Sequence, residues 1–325
     1  MAHARASASL FQQARAVPHS AHRSGSARIR GGGKQVPARA RPTARRIELG
    51  YELRELRKQA ELTLEEAVHG LPLSDTKLYR VETGLQDLRN AGDLRKLLAR
   101  YGVAEEEDIE RLLSIQRAAS SREWWTQFKG SMPSGMPRFI GIESAAVDIQ
   151  AFHPVVVLGL LQSERYARAL YEIAKPVEDT TNEFIDQGVT LRMKRKEYLT
   201  RAEEPGKLWA ILYEPALRYL VGGPEVMREQ YDEITRLAAL DNVTVQVLPH
   251  TVRGYVAVND FSILHLGDTL PVTVQVDNAW GASSVSDTPR EVAKFSRKFN
   301  TLVASSLPPE DTPKFLQQLS REITE

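Results

Sequence analysis

The stretch Leu62–Gly84, LTLEEAVHGLPLSDTKLYRVETG, decides the fold of the first half of the chain. It contains two short helical patterns separated by a Gly-Leu-Pro-Leu break. Thr63 with Glu66 predicts a capping box for the first helix, and Ser74 predicts an N-cap for the second. Gly84 stands where a left-handed residue commonly ends a helix. Two short helices joined by a tight turn are the unit that lays its second helix in the major groove of DNA.

The second of these helices offers an outer face of groups that bind DNA. Its positions Leu78 and Val81 are three residues apart and predict the buried side. The outward positions supply a lysine, an arginine and hydroxyl groups, which contact base edges and phosphates in protein–DNA complexes. The alternative interpretation is a solvated basic face on a small helical bundle. The candidate DNA-binding residues of this stretch are Thr63, Ser74, Asp75, Thr76, Lys77, Tyr79 and Arg80.

Helical patterns on either side complete a small domain over residues 47–119. Ile47–Gln59 places leucines on one side and basic residues on the other, and two further patterns cover Ala91–Tyr101 and Glu105–Ala118. The acidic first turn of the last helix suits the positive end of its dipole. Five helices, with the turn unit at positions two and three, predict a helix-turn-helix DNA-binding domain.

The composition is typical of a globular protein without disulfides or a membrane span. The chain has 325 residues, 42% of them hydrophobic and 26% charged, which suggests two domains. No cysteine is present, which excludes disulfides, thiolate metal sites and a cysteine nucleophile, and fits a reducing cytoplasm. No apolar run approaches the roughly 20 residues that cross a bilayer, so we expect a cytoplasmic protein without membrane contact.

Residues 1–46 form a basic stretch of low complexity. They contain nine arginines, Lys34 and no acidic residue, set mostly among Ala, Ser, Gly and Pro. Such a stretch buries too little apolar surface to offset the entropy of ordering, so we expect a disordered tail. It fits a DNA-binding arm, an organelle transit peptide or the translated upstream part of an overlong gene model. Without it, 33 Lys and Arg stand against 42 Asp and Glu, so DNA affinity must come from a local basic face.

The second half changes in character. Residues 120–138 predict a linker, with Trp124 and Trp125 as an aromatic anchor. The pattern of Phe139–Phe152 predicts an amphipathic helix, and further long helices alternate with four short strands. The chain is therefore predicted to be mainly α, with the five-helix domain followed by a mixed α/β domain with a small sheet over residues 139–325. The predicted strands are 208–213, 243–248, 260–266 and 272–277.

The first half carries a family signature. Its residues are Leu53-Arg54-x-Leu56-Arg57, Leu62-Thr63, Glu66, Ser74-x-x-Lys77-Leu78-x-Arg80-x-Glu82-x-Gly84 and Leu97-Leu98-x-x-Tyr101-Gly102-Val103. With these residues the segment resembles the Cro/C1 type, or xenobiotic-response-element (XRE) type, of helix-turn-helix regulators, and in particular an actinobacterial subgroup. The resemblance implies regulation of transcription through double-stranded DNA.

The chain departs from that family at several positions of the turn unit. Leu64 replaces a glutamine that commonly reaches a phosphate, and Ala67-Val68 replaces Leu-Ala where two helices cross. Pro72 replaces the turn glycine and cannot take a positive φ, for which Gly70 can compensate. Tyr79 stands where a small residue is usual. These differences concern the turn geometry and the strength of DNA binding more than the fold.

A second signature runs through the second half. Its residues are Trp124, Glu143, Val157-x-Gly159-Leu160-Leu161-Gln162, Tyr166-Ala167-Arg168-Ala169, Arg192, Glu214-x-x-Leu217-Arg218, Gly222-Gly223, Met227, Gln230 and Val245-x-Val247-Leu248-Pro249. They resemble the domain of unknown function that follows the helix-turn-helix in the same actinobacterial subgroup. The resemblance implies a regulator often encoded near a small companion protein.

The second half shows no pattern of an enzyme. No histidine pair has the spacing of a metal site on a helix, and no phosphate-binding loop or Gly-x-Ser-x-Gly turn is present, so we predict no metal, no cofactor and no catalytic residue. Five polar residues lie among apolar segments. They predict a pocket for a small polar ligand, a buried structural network or a face for a protein partner. These candidates are Glu143, Gln162, Tyr166, Arg168 and Arg218.

The patterns together favour a sequence-specific DNA-binding transcriptional regulator. The helix Asp75–Val81 would lie in the major groove, and the second domain would sense a small molecule or a companion protein. Because one short recognition helix is a small footprint, we expect a symmetric homodimer. The alternative is a protein-interaction or antitoxin-like module with weakened DNA binding, which Leu64 and Pro72 favour.

Overall fold

A computed structural model describes residues 42–120, 123–202, 204–267, 270–277 and 283–323. Most of the predicted basic tail, residues 1–41, lies outside the described residues. Within the described ranges, no helix combines the length and apolar character needed to cross a membrane.

Five helices form the first half, as predicted. They are α1 (Pro42–Gln59), α2 (Leu64–Val68), α3 (Asp75–Glu82), α4 (Ala91–Arg100) and α5 (Glu106–Ala119). Their shared core is rich in leucine, with Leu53, Leu94, Leu97 and Leu98 fully buried. Helix α1 begins five residues before the predicted start at Ile47, so residues 42–46 belong to a helix and not to a disordered tail. The sequence pattern missed this because the partners of these residues lie in the second half.

The second half is built on one mixed sheet of six strands. Its order is β3-β2-β1-β4-β5-β6, with β1, β2 and β3 parallel to one another and the remaining pairs antiparallel. The sheet is larger than the four strands expected from sequence. The strands are β1 (Asp148–His153), β2 (Lys207–Tyr213), β3 (Val243–Leu248), β4 (Phe261–His265), β5 (Thr273–Asp277) and β6 (Ser283–Ser286).

The prediction of one helix over Phe139–Phe152 was wrong in its second part. The helix ends at Ala145, and Asp148–His153 form a strand in the interior of the sheet. The apolar spacing of this segment fits a helix, but Ile149 and Ala151 find strand neighbours on both sides, in β2 and β4. Pairing on both sides therefore overrides the local pattern.

Helices cover both faces of the sheet. Leu208, Ala210 and Leu212 of β2 point to one core, and Ile211 points to the other, as the alternation of a strand requires. Helices α10 and α12 pack on the first face, and α11 packs on the second. The helices of this half are α6 (Met136–Ala145), α7 (Glu164–Glu178), α8 (Asn182–Thr200), α9 (Glu214–Arg218), α10 (Pro224–Ala238), α11 (Pro289–Ser305) and α12 (Thr312–Glu322). Short 3-10 helices occupy Trp124–Ser131, Gly159–Leu161 and Pro309–Asp311.

Helix α1 belongs to both halves of the molecule. Ala44 and Ile47 pack against the core of the second half, whereas Leu49 and Leu53, further along the helix, lie in the core of the first. The first turn of α1 crosses α6 closely, since a Cβ added at Gly141 would stand 2.2 Å from the Thr43 hydroxyl. One continuous helix thus connects the helices of the first half to the sheet domain.

Candidate nucleic-acid interface

The start of α2 is held by the predicted capping box. The Glu66 backbone N–H donates to the Thr63 hydroxyl at 3.2 Å, and the Thr63 N–H donates to the Glu66 carboxylate at 2.8 Å. The Thr63 N–H and the Thr63 hydroxyl both donate to the Glu66 carboxylate and lower its pKa, the backbone bond contributing most. Thr63 is exposed but its hydroxyl is engaged in this cap.

The turn between α2 and α3 is closed by Gly70 and by an arginine from α4. Gly70 has a φ of +72°, so it supplies the left-handed residue that Pro72 cannot. The Leu71 N–H donates to the Val68 carbonyl at 2.8 Å. Arg100 donates to the carbonyls of Glu66 and His69 at 2.9 and 2.8 Å, which satisfies the end of α2. No sequence pattern indicated this role of Arg100.

Helix α3 presents the predicted two faces. Ser74 caps it by accepting the Lys77 N–H at 3.1 Å. Leu78 and Val81 are buried, whereas Tyr79 is 53% exposed and Arg80 is also exposed. No carboxylate among the described residues pairs with Lys77 or Arg80. Asp75 and Thr76 are exposed at the first turn, where the Asp75 carboxylate accepts the Thr76 N–H.

A buried ion pair fixes α3 against α1. Arg57 donates two parallel hydrogen bonds to the Glu82 carboxylate, at 2.7 and 2.9 Å, and a third to the Leu62 carbonyl at 2.7 Å. The hydrogen bond to Glu82 raises the pKa of Arg57. Close packing accompanies the pair, since a Cβ at Gly50 would stand 2.4 Å from the Val81 carbonyl. Both partners stand in the sequence signature, but their pairing across 25 residues was not predicted.

Two family models match this chain. Residues 48–112 match a helix-turn-helix domain, and residues 136–318 match a domain of unknown function, DUF5753, over more than half of the chain. The chain belongs to the DUF5753 family. No curated protein and no solved structure matches it. The helix-turn-helix match suggests a DNA-binding regulator, and the second match agrees with the resemblance seen in the second half.

Three of the predicted ligand-binding residues of this DUF5753 protein are buried and hydrogen-bonded to neighbouring protein groups. Glu143 and Arg195 pair through two hydrogen bonds of 2.7 and 2.8 Å. Gln162 donates to the Val157 carbonyl at 2.6 Å and accepts from Arg192 at 2.7 Å. The Tyr166 hydroxyl accepts the Val157 N–H at 3.2 Å. Because these groups satisfy one another, the interpretation as a structural network fits them.

The other two candidates lie elsewhere. Arg168 pairs with Asp186 at 2.7 Å on the rim of an open groove of about 510 Å³ between α7 and α8. Arg218 pairs with Glu214 at 2.5 Å and with Glu322 at 3.0 Å. The five candidates therefore do not surround one cavity. Among the described residues of this DUF5753 protein, no group of three His, Asp or Glu is placed to hold a metal ion.

Proposed function

We propose that this DUF5753 protein is a sequence-specific transcriptional regulator that places α3 in the major groove of DNA. The observation that carries the proposal is the outer face of α3, where Lys77 and Arg80 have no carboxylate partner among the described residues and the helix is capped at its start. The Arg57–Glu82 pair holds this helix in one position on α1. A rigid helix with free cationic and hydroxyl groups can read base edges and contact phosphates.

The caps add groups that suit the phosphate backbone. Thr63 and Ser74 are exposed at the N-termini of α2 and α3, where the helix dipole favours an anion. Asp75, Thr76 and Tyr79 complete the proposed contact surface. We also propose that the protein works as a homodimer and that its second domain responds to a small molecule or to a small companion protein.

A second candidate function is a protein-interaction or antitoxin-like module with weak DNA binding. Leu64, the first residue of α2, favours it because the chain there lacks the glutamine that commonly reaches a phosphate. Tyr79 also favours it, because a bulky exposed aromatic on α3 suits a protein interface. A genome-wide chromatin pull-down of the tagged protein separates the two functions. Sharp peaks support regulation, and a flat profile supports the interaction module.

The contact surface is tested by Lys77→Ala and Arg80→Ala. We expect each to weaken binding to the recovered operator by roughly 1–3 kcal/mol if the side chain contacts a base, and to reduce the salt dependence if it contacts a phosphate. The control is Arg117→Ala in α5, which removes an exposed positive charge outside the turn unit. Band shifts at several salt concentrations measure the effect. Equal affinity of both variants, the control and the parent would contradict the proposed surface.

A further inference from the structure

An open cleft of about 540 Å³ lies where the DNA-binding helices meet the second half. Its walls come from α1, the loop after α3, the 3-10 helix Trp124–Ser131 and the start of α6. The volume is within the range of sites that hold small molecules, roughly 300–1,000 Å³. None of the ligand-binding candidates selected from the sequence lines it.

Two buried polar atoms of residues that line the cleft have no hydrogen-bond partner among the described residues. The Glu123 side chain is 8% exposed, and its Oε1 accepts from both Thr43 and Arg46, at 2.5 and 2.7 Å. Glu123 Oε2 and Arg46 Nε are left unpaired. Leaving a buried donor or acceptor unpaired is unfavourable, so a ligand that supplies one donor and one acceptor would be stabilised here.

The walls of the cleft carry an excess of positive charge. Among the residues that the structure describes, four basic and two acidic side chains line it. Two of these bases are paired, Arg46 with Glu123 and Arg89 with Asp87. Lys129 and Arg138 form no ion pair in the described part of the chain, although the Asp287 carboxylate acts on Arg138 at longer range. Burial lowers the pKa of Arg138, whose side chain donates to the Thr83 carbonyl at 3.3 Å.

We propose that this cleft binds a small organic anion that also carries a hydroxyl or ammonium donor. Arg138 and Lys129 contact the anionic group, Glu123 Oε2 accepts from the donor, and Arg46 Nε donates to a ligand oxygen. The binding itself does not depend on the proposed function, but a role as an effector does. Because Arg138 donates to the carbonyl of Thr83, which follows the last residue of α3, a ligand that moves Arg138 would also change the affinity for DNA.

The binding is tested by calorimetry on the full chain without DNA at pH 8. The probes are glycerol 3-phosphate, phosphoserine and citrate, and methyl phosphate is a reference that offers an anion without a donor. We expect at least one of the three probes to bind more tightly than methyl phosphate. Arg138→Met should weaken its binding about tenfold or more, since a hydrogen bond to a charged group is lost. Glu123→Gln should abolish the preference over methyl phosphate, because its amide places a donor where the ligand needs an acceptor.

The control is Arg165→Met, which removes an exposed arginine on α7 and should leave binding unchanged. Circular dichroism establishes that all variants fold. Failure of all three probes to bind, or equal binding by the parent, Arg138→Met and Glu123→Gln, overturns the proposal. DNA binding by the ligand-free protein gives a second test. If Arg138→Met and Lys129→Met weaken this binding and make its salt dependence shallower, the two side chains contact DNA phosphates, and the proposal is overturned. If the protein binds a probe but does not bind DNA, the ligand site is supported and only its role as an effector site is excluded.

Discussion

Glu143 and Arg195 place opposite charges inside the second half, where only 3% and 7% of their side chains are exposed. Their two parallel hydrogen bonds compensate the loss of hydration, and Arg195 also lies 5.4 Å from the centre of the Phe139 ring. Nearby Arg192 has no such carboxylate and instead stacks on Tyr171 at 4.9 Å. Removal of the Glu143 carboxylate would leave the buried Arg195 guanidinium without its hydrogen-bonded partner and close to the charge of Arg192.

We therefore expect Glu143→Gln to lower the free energy of unfolding by about 3–5 kcal/mol, the range for breaking a buried pair from one side. The matched control is Asp186→Asn, which breaks the exposed pair with Arg168 and should cost less than about 1 kcal/mol. Urea unfolding of the parent and both variants measures the two losses. Similar losses in the two variants would show that the Glu143–Arg195 pair is not desolvated.

His153 makes stability depend on pH. Burial and then the charges of Arg195 and Arg192 lower its pKa from 6.5 to about 4. Between pH 4 and pH 6.5, the His153 imidazole binds a proton in the unfolded chain but not in the folded chain. The contribution of His153 to stability is therefore fully present above pH 6.5 and is lost as the pH falls toward 4. Urea unfolding at pH 7.5 and 5.0 should show a smaller pH-dependent loss in His153→Gln than in the parent, and an equal loss would contradict the shift.

At the scale of elements, the crossing of α1 and α6 connects the two halves. Gly141 permits it, because Thr43 lies where a side chain at position 141 would be. We expect Gly141→Ala to displace the first turn of α1 and to cost about 1–3 kcal/mol, as overpacking does. The control is Gly130→Ala, since nothing lies within 4 Å of the added Cβ there. Urea unfolding compares the two, and a loss no larger for Gly141→Ala would contradict close packing at this crossing.

The elements that the sequence predicted well are those with local signals. Thr63 and Ser74 each accept from the backbone N–H three residues further on, so their caps could be recognised from spacing alone. The positions of β1 and of the first turn of α1 depend on partners far along the chain. Thr43 and Glu123 are separated by 80 residues. No periodicity within a single segment carries that information.

The candidate sites divide in the same way. The outer face of α3 follows from helical spacing, which is why its exposed residues could be selected from the sequence. The second-half candidates could not be arranged from sequence, because whether Gln162 faces a ligand or Arg192 depends on how α8 packs. The cleft at Glu123 was missed because its residues come from elements that are distant in sequence.

At the scale of the whole molecule, each chain offers one α3. Tight discrimination by such a helix usually needs two half-sites about one turn of DNA apart, roughly 34 Å. We expect a symmetric homodimer on a pseudo-palindromic operator. Trp125 is buried within the chain, so of the paired tryptophans mainly Trp124, 38% exposed, is free to contribute to the contact. Light scattering of the free protein and of its DNA complex measures the stoichiometry, and a one-to-one complex on an asymmetric site would rule out this arrangement.

Because α1 packs into the cores of both halves, its two parts can fold at different times as the chain leaves the ribosome. The leucine core of the first half needs no residue beyond Ile115, so it can close early in synthesis. Thr43 and Arg46, near the beginning of α1, must wait for Glu123 and α6 to emerge. The core of the first half can therefore pack during synthesis before the contacts of Thr43 and Arg46 with Glu123 are able to form.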